Sequence, residues 1–76
     1  MIPARDDYNH IQDPHNKIPE DEPVFLLRAQ DVLAEEVIRY WAQLNEDQGG
    51  DPRLTVAARS QAKKMAAWPK KKMADL

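Results

Sequence analysis

In the stretch DEPVFLLRAQD, Arg28 and Gln30 close an apolar run two residues apart. In an extended segment, side chains two apart project to the same side. A guanidinium beside an apolar wall is partly stripped of water and can grip a phosphate or carboxylate through two parallel N–H bonds. The other use of the same group is a salt bridge to Glu35 or to an acid of the N-terminal segment. Arg59 and Lys63 form a second cationic pair, four apart and therefore on one face of a helix, serving either as a solvated surface or as a phosphate-facing one. Tyr8 offers a ring on which a base could stack, and Trp41 offers another. Arg28, Gln30, Tyr8, Arg59 and Lys63 are the binding residues these spacings single out.

Catalysis has fewer footholds. Ser60 and Thr55 are the only hydroxyl residues besides the tyrosines, and neither lies in a nucleophile context. The two glycines are adjacent, at Gly49-Gly50, so there is no glycine-rich phosphate loop. Glu35 and Glu36 are neighbours on a helix and point about 100° apart. His10, Asp13 and His15 have no helix or strand to fix their spacing, and Pro14 interrupts them. The expectation is a protein that is not an enzyme and takes no metal or cofactor.

The elements that must hold these residues are legible in outline. Pro3, Pro14, Pro19 and Pro23 oppose a regular helix over residues 1–23, which read as an extended arm. Asp31 suits a helix N-cap, and Glu35 and Glu36 suit the positive end of the helix dipole. That helix is predicted to run to about Asp47 and stop at Gly49-Gly50. Asp51-Pro52 restarts the chain as N-cap and first helical residue, and a second helix runs to about Trp68, where Pro69 ends it. The fold class is all-α, a helical hairpin over 24–69 with an extended Pro-rich N-terminal arm (1–23) and a basic C-terminal tail (70–76).

At about 100° per residue, Leu33, Val37, Tyr40, Trp41 and Leu44 share one side of the first helix, with Ile38 widening the stripe. The facing set predicted on the second helix is Leu54, Ala57, Ala58, Gln61, Met65 and Trp68. Val24, Phe25, Leu26 and Leu27 are expected as packing over this core. The first stripe is wider than one small-residue helix can cover, so a second protomer is the economical cover and a homo-oligomer is expected.

Charge is divided along the chain. Residues 1–51 carry twelve acids against four bases (Arg5, Lys17, Arg28 and Arg39), a net −8, while residues 52–76 carry seven bases against Asp75, a net +6. Such a chain can pair with itself or offer a basic face to an anion. The run PKKK would add weak affinity for nucleic acid, against which the acidic half works. There is no cysteine, hence no disulfide or thiolate site. MIPARDDYNH lacks the features of a secretory signal, and no apolar run reaches the ~20 residues of a membrane span, so a cytoplasmic protein without membrane contact is expected.

The segment IPEDEPVFLLRAQD followed by a Trp-containing helix, together with MAAWP, resembles a group of small phage and prophage proteins of unassigned role over about residues 18–69. The resemblance implies a context of inhibitors of host antiviral defence and carries no catalytic residue. The function expected is an oligomeric, non-catalytic phage protein in the host cell that sequesters an anionic signal such as a cyclic nucleotide. The alternatives are an inhibitor that blocks a host defence protein directly and a small nucleic-acid accessory protein.

Overall fold

Two antiparallel helices, α1 (Ala34–Asp47) and α2 (Pro52–Ala67), form the body of the computed structural model, which describes residues 1–76. α2 starts as its sequence requires. The Asp51 carboxylate accepts the Arg53 amide at 2.9 Å, and Pro52 occupies the first turn, where a missing N–H leaves nothing unsatisfied. α1 begins later than Asp31 suggests. Asp31 Oδ1 accepts the Leu33 amide at 2.9 Å and its carbonyl accepts Ala34 N at 3.0 Å, so Asp31 closes a turn that leads into the helix. Beyond α1, Gly49 has φ of 75°, a left-handed conformation that strains any other residue. Gly50 is needed for a different reason: a Cβ there would collide with the Asn45 side chain.

The helices pair through faces rotated from the expected apolar stripes, of which only Met65 is buried and only Ile38 and Ala58 are half-buried. Ala34 and Ala42 of α1 and Thr55, Ala62 and Met65 of α2 are buried, with Ile38, Asn45 and Ala58 half-buried beside them. Leu33, Val37, Tyr40, Trp41 and Leu44 remain between 40 and 66 % exposed, and Leu54 and Trp68 are 55 and 51 % exposed. Two effects set this rotation. Small side chains let the helix axes approach. A polar pair fixes the register: Asn45 Nδ2 donates to Thr55 Oγ1 at 2.9 Å and to the Asp51 carbonyl at 3.2 Å. Leaving such groups buried without partners would cost about 1–3 kcal/mol, so the pair adds to the close approach of the small residues in fixing how the two helices meet.

The N-terminal arm folds back on itself. β1 (Ile2–Pro3) lies parallel to β2 (Pro23–Val24), with Ile2 opposite Pro23 and Pro3 opposite Val24. Neither proline has an N–H to give, and the ladder uses Ile2 N to the Glu22 carbonyl (2.8 Å) and Ala4 N to the Val24 carbonyl (3.1 Å). Residues 5–22 make the long crossover that a parallel pair requires. Within it Asp13 takes the Lys17 and Ile18 amides at 3.0 and 2.9 Å, organising the turn through Pro14 and His15. The VFLL segment splits accordingly: Val24 and Leu27 are half-buried, whereas Phe25 is 70 % exposed and Leu26 39 %. Phe25 and Leu26 are therefore not core.

Residues 70–76 are not a free basic tail. Lys72 forms a parallel bridge with Asp31: Lys72 N donates to the Gln30 carbonyl at 2.8 Å, and Val32 N donates to the Lys72 carbonyl at 2.9 Å. Lys71 Nζ reaches the Ala29 carbonyl at 2.7 Å and also the Met65 carbonyl, tying the strip to the end of α2. The fold is thus a helical hairpin whose open end is closed by short extended pieces. No helix is long and apolar enough to cross a membrane.

Candidate functional site

Tyr8 stands between two arginines. The Arg5 guanidinium carbon lies 4.3 Å from the ring centroid and that of Arg28 lies 5.6 Å away, while Arg28 donates an N–H to the Tyr8 hydroxyl at 2.9 Å. Three pieces of chain create this meeting. A 3₁₀ turn over Asp6–Tyr8 brings Arg5 and Tyr8 together, closed by Tyr8 N to the Arg5 carbonyl at 3.2 Å. The β1–β2 pairing carries that turn to the segment following β2, where Arg28 sits. The bridge between Asp31 and Lys72 adds the C-terminal strip. Together they border a pocket of about 60 Å³ whose lining sets Arg5, Tyr8, Arg28 and Lys72 beside the acids Asp31 and Asp75. That is room for a few water molecules or one compact group, and a larger ligand must extend outward past exposed Phe25.

Of the charged groups lining the pocket, Arg28 and Asp31 alone make no salt bridge. Arg5 forks onto Asp7 through Nε at 3.0 Å and a terminal nitrogen at 2.7 Å, which holds the Asp7 carboxyl below its ordinary value and raises Arg5. Lys72 pairs with Asp75 at 2.8 Å and lowers that carboxyl in the same way. Asp31 is engaged by the Leu33 amide. Elsewhere Arg39 pairs with Glu35, Arg53 with Asp51 and Arg59 with Glu46. Arg28 is the only arginine without a carboxylate partner. The ion pair with Glu35 or with an arm acid, which its position also allowed, does not form.

Of the residues expected from spacing, Arg28, Gln30 and Tyr8 come together in this pocket. Arg59 and Lys63 do not join them. Arg59 lies against α1, donating to both Glu46 carboxylate oxygens at 3.3 Å and to Gln43 Oε1 at 3.3 Å, and its hydrogen bonds depress the Glu46 carboxyl. Lys63 is exposed on α2. Arg5 and Lys72 are site residues that spacing alone did not reveal. The three-residue step from Arg5 to Tyr8 is a faint signal for the first; nothing local marks the second.

No family model, curated protein or solved structure matches this chain.

Proposed function

We propose that this protein is a non-catalytic binder that captures a phosphorylated small molecule of nucleotide type at the Arg28–Tyr8 cluster. In the phage context that the segment IPEDEPVFLLRAQD suggests, it would act as an inhibitor that withdraws such a signal from host antiviral defence. The observation that carries the reading is Arg28, a guanidinium held by a tyrosine hydroxyl and engaged in no salt bridge. Its hydrogen bond to Tyr8 uses one edge, and the remaining N–H groups can fork onto a phosphoryl group. Arg5 and Lys72 border the same pocket but are already paired with Asp7 and Asp75, so Arg28 is the cation there left to meet an anion. The Tyr8 face is already shared by two guanidiniums, so a base would rest on Phe25 instead.

Each charge-assisted bond of this kind contributes about 1.5–3 kcal/mol, so losing two weakens binding a hundredfold or more. The test is a thermal-shift screen of cyclic di- and trinucleotides and ADP-ribose-type molecules against wild type and Arg28→Ala. Wild type should rise by several degrees with at least one compound. The variant should melt where ligand-free wild type melts and show no rise. If none of these compounds shifts wild type, the sequestration reading fails and direct blocking of a host protein replaces it. If Arg28→Ala unfolds, Arg28 is a structural group.

A further inference from the structure

The helix pairing leaves one broad face of the hairpin uncovered, and its composition specifies what covers it. On α1 the exposed stripe lies to one side of the buried Ala34–Ala42 line, and on α2 Leu54 and Trp68 lie on the same rotational side of the buried Thr55–Ala62 line. For antiparallel helices, equal rotation away from the shared contact puts both stripes on one surface of the pair. Leu33, Val37, Trp41 and Leu44 therefore share one surface with Leu54 and Trp68, each between 40 and 55 % exposed, with exposed Gln61 between the last two on α2. With Tyr40 this places seven large, partly exposed side chains on one surface, and a contiguous exposed apolar patch of that kind marks an interaction site. Only five residues are buried within the chain, and no large side chain is fully buried. The hairpin alone is short of core.

The edges of this face are oppositely charged. Glu36 and Asp47 lie on the outer edge of α1, and Lys64 and Arg53 on the outer edge of α2. Glu36 and Lys64 have no salt-bridge partner within the chain. The Asn45–Thr55 hydrogen bond sets these positions level along the hairpin. Nine residues back from Asn45 stands Glu36, and nine residues on from Thr55 stands Lys64. Two residues past Asn45 stands Asp47, and two before Thr55 stands Arg53. We infer that the face is covered by a second copy of this chain, related by a two-fold axis that lies between the hairpins and runs along the helices. That axis keeps every residue at its own height and sets α1 of one protomer over α2 of its partner. Glu36 then faces Lys64 of the partner subunit, and Asp47 faces Arg53 of the partner subunit, twice each. The other face-to-face arrangement, with the axis across the helices, stacks α1 on α1 and brings acidic edge against acidic edge. The result is a four-helix bundle in which each helix runs antiparallel to its neighbours, with Trp41 close to the axis.

This inference is independent of any ligand. Sedimentation equilibrium of the full chain tests it, with Glu36→Lys, Lys64→Glu and the double variant alongside wild type and circular dichroism checking that all four fold. Wild type is expected at twice the 8.8 kDa chain mass at micromolar concentration. Either single reversal should weaken the dimer about tenfold, since symmetry places two repulsive contacts in each. The double variant should return to within about twofold of wild type, because the swapped charges attract again. A wild-type chain that stays monomeric at about 100 μM overturns the proposal. So does a dimer that the single reversals leave unchanged, or one that the double reversal does not restore.

Discussion

At Tyr8 and Arg28, two residues twenty positions apart, a hydrogen bond of 2.9 Å holds a guanidinium that forms no salt bridge. The hydroxyl and the ring do separable work there. Tyr8→Phe should keep the aromatic surface under Arg5 and Arg28 but release the Arg28 fork, weakening nucleotide binding about tenfold in calorimetric titration. Unchanged affinity would mean that the hydroxyl does not position Arg28. Arg28→Lys should not rescue Arg28→Ala, because an ammonium cannot make the planar two-bond contact. Asn45 is the corresponding residue for stability. Asn45→Ala leaves Thr55 Oγ1 and the Asp51 carbonyl without their donor, and should cost about 1–3 kcal/mol in urea unfolding. A cost near zero would show that shape alone sets the helix register. This pair explains a misreading at the residue scale. Asn45 and Thr55 look like surface residues in sequence, yet they meet in the helix contact from which the larger apolar residues turn away.

Among the elements, the beginning of α2 was plain from Asp51-Pro52, and the stop at Gly49-Gly50 from the glycines, because capping and left-handed backbone are local matters. Strand pairing was not legible. Ile2 and Pro23 sit at opposite ends of a crossover, and Asp31 meets Lys72 only once the hairpin has formed. Arg28, Gln30 and Tyr8 could be named individually, yet Arg5 and Lys72 could not, for the same reason. The C-terminal strip makes its own prediction. Removing residues 70–76 should destabilise the protein by roughly 2 kcal/mol for the two lost backbone hydrogen bonds and speed hydrogen exchange at the Val32 amide. Unaltered exchange at Val32 would show the strip to be dispensable. A pH dependence belongs here too, since Asp7, Glu46, Asp51 and Asp75 are each held below the ordinary values of 3.8 for Asp and 4.5 for Glu, by hydrogen bonds from Arg5, Arg59, Arg53 and Lys72 respectively. A carboxyl whose folded-state pKa is depressed contributes its stability fully above the unfolded value and loses it as pH falls through the folded one. Thermal unfolding should therefore be nearly flat from about pH 7 to 5 and shift to lower temperature below about pH 4. A melting temperature that holds to pH ~2 would deny these pairs a role in stability.

The whole molecule joins an acidic N-terminal stretch to a basic C-terminal one. The fold uses part of that charge internally, as in Glu46 with Arg59, and leaves Glu36 and Lys64 on opposite edges of an apolar face. If a second copy completes the core, stability depends on concentration. The melting temperature should rise by a few degrees for each tenfold increase in protein, as it does for linked folding and assembly. A concentration-independent transition would mean that the hairpin is stable by itself. Capture of a phosphorylated ligand by Arg28 can be read out by native mass spectrometry. Wild type and Arg28→Ala would each be incubated with the panel of cyclic nucleotides and ADP-ribose-type molecules. Wild type should appear at a multiple of 8.8 kDa with the added mass of a nucleotide, and Arg28→Ala at the same multiple without it. Wild-type protein that gains no mass from any of these compounds, or a variant that retains the ligand, would contradict the claim.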